Sequence, residues 1–156
     1  MILVEKYYHL IKPIYFTQFN DSLQDIELAV NSCPYPFAYS NPPKIKTFFD
    51  TYLNGKGWVS NVRIDYRTNM TINFMKENVA FVLQLGNVAR VYADLIKLSY
   101  LYEKQLINTG IIAVACKNEA KLLGQNYANF DRLVNELKVY GKVILTPMVI
   151  IGLSNN

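Results

Sequence analysis

Few residues in this chain are of a type that does chemistry, and their distribution excludes most site classes. There is one histidine, His9, and there are two cysteines, Cys33 and Cys116. A single histidine with no carboxylate cluster beside it cannot build the usual zinc site. We read it as structural or surface. The cysteines are far apart and lack metal-type spacing, which fits two buried thiols in a reducing compartment. No Gly-rich phosphate loop or nucleophile elbow is present. What remains is a set of cations, Arg63, Arg67, Lys76, Arg90 and Lys97, flanking the apolar run 79–85 in sequence. Such side chains can hold nucleic-acid phosphates through salt-sensitive, sequence-neutral contacts, although a solvated loop would read the same way. The twelve tyrosines are expected in core and interface packing rather than base stacking.

Composition sets the frame. With 156 residues, 51% hydrophobic and 18% charged, the chain suits one domain over 1–156 with a real core. The net charge of +4 permits an anionic partner. No apolar run reaches the roughly 18 residues a membrane helix needs. The N-terminal stretch carries Glu5 and Lys6 and lacks a basic start and a small-residue cleavage site, so we do not read it as a signal peptide. A cytoplasmic location is expected, with no membrane partner.

The elements that must position these residues follow from periodicity. Four prolines within 33–43 mark a loop. Helices are predicted over 22–31 and 44–53, the second ended by Gly55 and Gly57. Residues 57–66 alternate as a strand, and 70–85 read as a β-hairpin around the polar turn 75–78. Residues 79–85 resemble a strand buried on both faces. A helix follows in which Val91, Leu95, Leu98 and Tyr102 keep an apolar period, with Asp94, Lys97, Glu103 and Lys104 mainly outside it. Residues 111–115 form a buried strand, 118–139 one helix, and 142–145 with 148–153 the closing strand. The expected fold is α/β (α+β): a mixed β-sheet flanked by helices, with a right-handed crossover between buried strands.

The stretch from Ile72 to Asn87 carries more than periodicity. It resembles the active-site hairpin of the BglII/BstYI-type restriction endonucleases, of the PD-(D/E)XK superfamily. In that family an Asp opens the stretch, a Phe follows, and a basic residue sits in the turn. The buried strand then carries Glu nine residues after the Asp, Gln two further on, and a small residue beyond. Here Phe74, Lys76, Gln84 and Gly86 match. Asp94-Leu95-Ile96-Lys97, Leu106-Ile107-Asn108-Thr109-Gly110-Ile111 and 145–153 resemble later family motifs in the right order. Gly57-Trp58 and Val4-Glu5-Lys6-Tyr7 also have counterparts.

The resemblance implies a restriction-endonuclease-like fold, a duplex-DNA partner, a homodimer, and Mg2+ as cofactor where the protein is active. It makes Asn73, Val82 and Gln84 the catalytic positions, with Asn73 the one side chain left to meet a metal, since both family acids are replaced. It puts Asn87 and Arg90 where family members approach DNA and where an Asn or Arg can read a base edge. Lys76, Arg63 and Arg67 are further candidate DNA contacts. The expectation is a DNA-binding pseudo-nuclease that needs no cofactor. An active type II endonuclease would need acids from elsewhere, such as Glu77, Asp65 or Glu27. A non-catalytic subunit partnering an active nuclease is a third reading. The segment between Trp58 and Asn73 looks shortened relative to the family, so an arm embracing DNA is expected to be absent.

Overall fold

In the computed structural model, residues 1–12 and 16–155 are described, with the side chains of Phe16 and Gln18 left aside. Eleven elements are found among them: β1 (Ile2–His9), α1 (Phe16–Ser32), α2 (Pro42–Asn54), β2 (Val59–Arg63), β3 (Thr71–Lys76), β4 (Val79–Gln84), α3 (Val88–Glu103), β5 (Thr109–Ala115), α4 (Lys117–Leu123), α5 (Phe130–Tyr140) and β6 (Met148–Ser154). The strands make one six-stranded sheet in the order β1-β6-β5-β4-β3-β2. β4, β5 and β6 run parallel, while β1, β3 and β2 are added antiparallel. This is the mixed sheet expected from the order of apolar runs.

The apolar runs are continuous because the central strands are covered on both faces. Every residue of β4 and β5 is buried. Alternate side chains feed two cores. Phe81 and Leu83 join Ile26, Ile45, Phe49 and Leu53 under α1 and α2. Ala80 and Val82 join Leu95, Leu98, Leu133 and Leu137 under α3 and α5. At Gly110 a Cβ would lie 3.1 Å from Leu98 Cδ1 and 3.2 Å from Met148 Cγ, so the missing side chain lets α3 sit close on β5.

Four elements differ from the sequence reading. α1 begins at Phe16 rather than at residue 22, and its added turns bury Phe19. β1 has no counterpart in it. That strand is the sheet edge, largely exposed, and a register shift between Leu3 and Glu5 breaks its alternation. The single helix expected over 118–139 is two helices. Gly124 at φ +142 and Asn126 at φ +58 interrupt it, and its halves pack in different cores: Ala120 and Leu123 with α1 and α2, Leu133 and Leu137 with α3. One straight helix cannot reach both faces of a sheet. Residues 142–145 are turn and coil rather than strand, with Val143 and Leu145 exposed. Their apolarity imitates a buried run without being one.

A candidate nucleic-acid interface at the open end of the hairpin

The β3–β4 hairpin is paired at its closed end and parts at its open end. The ladder runs Lys76–Val79, Met75–Ala80, Phe74–Phe81. Beyond that Asn73 changes the pattern. Ile72 and Phe74, two residues apart, lie in opposite cores, so the strand does not alternate through Asn73. The neighbouring β2–β3 ladder passes over Asn61 and Asn73, and Asn61 has φ +53. The Leu83 N–H donates to Asn73 Oδ1 at 3.1 Å. A side-chain amide thus replaces a main-chain acceptor where the strands separate, as a buried N–H requires a partner.

The separation leaves a cleft of ≈ 290 Å³ lined by Lys46 from α2, Asn73, Gln84, and Arg90, Asp94 and Lys97 from α3, among others. Gln84 and Asp94 are both buried. Gln84 Nε2 donates to Asp94 Oδ2 at 2.5 Å. Lys97 Nζ donates to Asp94 Oδ1 at 3.2 Å. Burial pushes the Asp94 carboxyl above its ordinary pKa, against the pull of Lys97 and Gln84. Periodicity had set Asp94 outside the helix's apolar face, and the structure corrects that. The signal was available: Val91, Asp94, Leu98 and Leu101 stand at i, i+3, i+7 and i+10 of α3, and all four are buried. Lys46 was missed because nothing in sequence ties α2 to the hairpin.

The other candidate residues fall in different places. Val82 is 1% exposed and packs in the α3–α5 core, so its side chain does not line the cleft. Lys76 lies at the closed end, where Nζ donates to Asp25 Oδ2 at 2.8 Å; the same oxygen accepts from Trp58 Nε1 at 3.1 Å. Arg63 donates to Asn69, and Arg67 holds Asp65 through Nε and Nη2. Arg63 ends β2, and Arg67 lies in the loop after it, beside an apolar recess of ≈ 220 Å³ against Ile96 and Tyr100. Asn87 caps α3, its Oδ1 accepting from the Ala89 N–H at 2.8 Å. Of the five cations flanking the apolar run, Arg90 and Lys97 line the cleft; Arg63, Arg67 and Lys76 do not.

The substitute acids are elsewhere too. Glu77 is exposed in the hairpin turn at φ +51. Glu27 pairs with Lys6. Asp65 is held well below the usual carboxylate range, first by Arg67 and then by the Tyr100 hydroxyl. His9 is buried, with Nε2 against the Ile144 carbonyl at 2.8 Å. Cys33 and Cys116 are free thiols. Cys116 is pushed up to about 12, first by burial and then by Glu5, which leaves it little thiolate at neutral pH.

Mg2+ takes hard oxygen ligands, usually including carboxylates. Here the cleft offers one carboxylate, already shared between Gln84 and Lys97, and an Asn73 oxygen already accepting from the backbone. Among the described residues no three His, Cys, Asp or Glu side chains gather to hold a metal. The donor set does not fit a divalent cation.

A mixed six-stranded sheet whose hairpin parts beside a polar cleft, with helices on both faces, is the restriction-endonuclease fold. Residues 12–153 match the restriction endonuclease BglII/BglIII family, and the chain belongs to that family. The crystal structure of restriction endonuclease BglII complexed with a DNA 16-mer is similar, with a TM-score of 0.80 and 14% identity, over 100% of this chain and 78% of that one. Free BglII is similar with a TM-score of 0.72 and 16% identity, over 100% of this chain and 81% of that one. Among curated proteins, none has a sequence that matches. Among the described residues no helix is long and apolar enough to cross a membrane.

Proposed function

We propose that the protein binds duplex DNA in the cytoplasm as a homodimer and that its hydrolytic centre is impaired. The observation that supports this reading is the make-up of the cleft. Where the resemblance sets two converging carboxylates, Asn73 supplies an amide, Val82 turns into the core, and Asp94 is already engaged. Metal-assisted phosphodiester hydrolysis requires a cation that can polarise the phosphate and lower the pKa of water, and this donor set holds one poorly. The net charge of +4 suits a polyanion. The similar BglII structure holds a DNA 16-mer. A homodimer matches the two-fold symmetry of a palindromic duplex site.

The test is plasmid DNA incubated with Mg2+ or Mn2+, beside a band shift on duplex DNA at low salt. We expect a shift and no metal-dependent nicking. Metal-dependent cutting that co-purifies with the protein and disappears in Asp94→Asn would overturn the impaired centre in favour of an active type II endonuclease. No shift at low salt would overturn DNA binding and favour a subunit that partners an active nuclease.

A further inference from the structure

We propose that the cleft between α2 and α3 binds a nucleic-acid phosphate directly, through Lys46, Arg90 and Lys97, in the place where a metal ion would otherwise stand. This deepens the DNA-binding reading above and rests on it. The cleft sets three cations against one carboxylate, a formal charge of +2. The cations come from two elements on opposite sides of the parted hairpin. Among the described residues, neither Lys46 nor Arg90 makes an ion pair. They face one cavity without a carboxylate in direct contact, Lys46 feeling Asp50 and Asp94 only at longer range, whereas Lys76, Arg67 and Arg132 each have a carboxylate partner.

The neutral groups fit the same ligand. Asp94 accepts from Gln84 on one oxygen and from Lys97 on the other. It therefore fixes Lys97 Nζ at the cleft and leaves little carboxylate to repel an anion. Gly86 supplies space, because a Cβ there would lie 2.9 Å from Gln84 Oε1 and 3.1 Å from Arg90 Cδ. The bare backbone leaves room for both side chains at the cleft. Arg and Lys donors around a cavity open to solvent are the usual holders of a phosphate oxyanion. Each phosphate contact made by such a cation releases counterions, so its loss flattens the salt dependence of binding.

The experiment is fluorescence anisotropy on a short duplex across a series of NaCl concentrations, in EDTA and again in Mg2+. It compares the wild type with Lys46→Gln, Arg90→Gln and the double variant. Lys46 and Arg90 are exposed, so folding is retained and circular dichroism verifies it. We expect wild-type binding in EDTA, a loss of about tenfold per substitution, and a log–log salt slope shallower by about one per cation removed. Asp94→Asn binds at least as tightly as the wild type, the opposite of what a metal ligand would show. Inorganic phosphate, titrated while the side-chain amide resonances of Gln84 and Asn73 are followed by NMR, shifts them in the wild type and not in the double variant. Binding in EDTA with affinity and slope unchanged in the double variant overturns the phosphate cleft and leaves DNA binding standing. Binding only in Mg2+ overturns it in favour of a metal-bridged contact. Phosphate-induced shifts without any duplex binding sustain the anion site and overturn the DNA reading alone.

Discussion

The two ends of the β3–β4 hairpin use the same side-chain chemistry to opposite ends. At the closed end one lysine meets one aspartate: Lys76 and Trp58 share Asp25 Oδ2 and tie the hairpin to α1. At the open end one aspartate faces three cations, and two of those have no ion-pair partner among the described residues. Matched charge is fold; surplus charge at a cavity is readiness for a ligand. Proximity in sequence to the hairpin could not separate the two, because Lys76 and Arg90 flank the same strand.

The largest effect expected at this boundary is from Val82→Glu, which puts a carboxylate at the position the family resemblance assigns to an acid, where the side chain now packs under α3. If the side chain stays in the core, an uncompensated carboxylate there costs about 3–5 kcal/mol, read as a fall in urea midpoint. A loss below about 1 kcal/mol would mean that residue 82 can turn into the cleft, and the contrast between cleft and core would fail. The double variant Asn73→Asp with Val82→Glu then sharpens the point. Calorimetric binding of Mg2+ by that variant and not by the wild type would show that carboxylates at these two positions suffice to hold the metal.

Next is Asp25→Ala at the closed end. It leaves Lys76 and Trp58 Nε1 without their shared acceptor, a loss of about 2–3 kcal/mol in chemical denaturation. The salt slope of DNA binding is expected to stay unchanged, in contrast to Arg90→Gln. A changed slope would make Lys76 a DNA contact and collapse the distinction between the two ends. Gly86→Ala is smaller. Its Cβ displaces the flexible end of Gln84 or Arg90, so we expect roughly 1 kcal/mol of destabilisation and a measurable weakening of duplex binding in EDTA.

Much of this arrangement is legible in the residues. The hairpin, the buried strands and the long helix after them follow from apolar runs and polar turns, and the family motifs fall on them in order. What was not legible is specific. β1 hides because it is an edge with a bulge. α4 and α5 merge in sequence because their apolar residues share one period across a break that only the two sheet faces reveal. Lys46 joins the cleft through tertiary packing alone. Asp94 is misassigned because a charged residue is expected outside; its two partners, Lys97 and the buried Gln84 amide, make an inward position tolerable.

The smallest effect distinguishes two aspartates that both meet a cation near α3. Asp65 has its folded pKa lowered by Arg67 and Tyr100. It therefore contributes stability that is present above its unfolded value near 3.8 and is lost as pH falls below that. Asp94 has its folded pKa raised by burial. In the window just above 3.8 the folded state binds more protons than the unfolded, so its contribution falls as pH rises through that window. The slopes oppose. Asp65→Asn should remove part of the acid loss seen in thermal unfolding below pH ~4. Asp94→Asn should instead make stability increase more steeply with pH just above that value. If both variants changed the profile in the same direction, the cleft aspartate would be governed by Lys97 rather than by burial, and it would be as closed an ion pair as the one at Asp65.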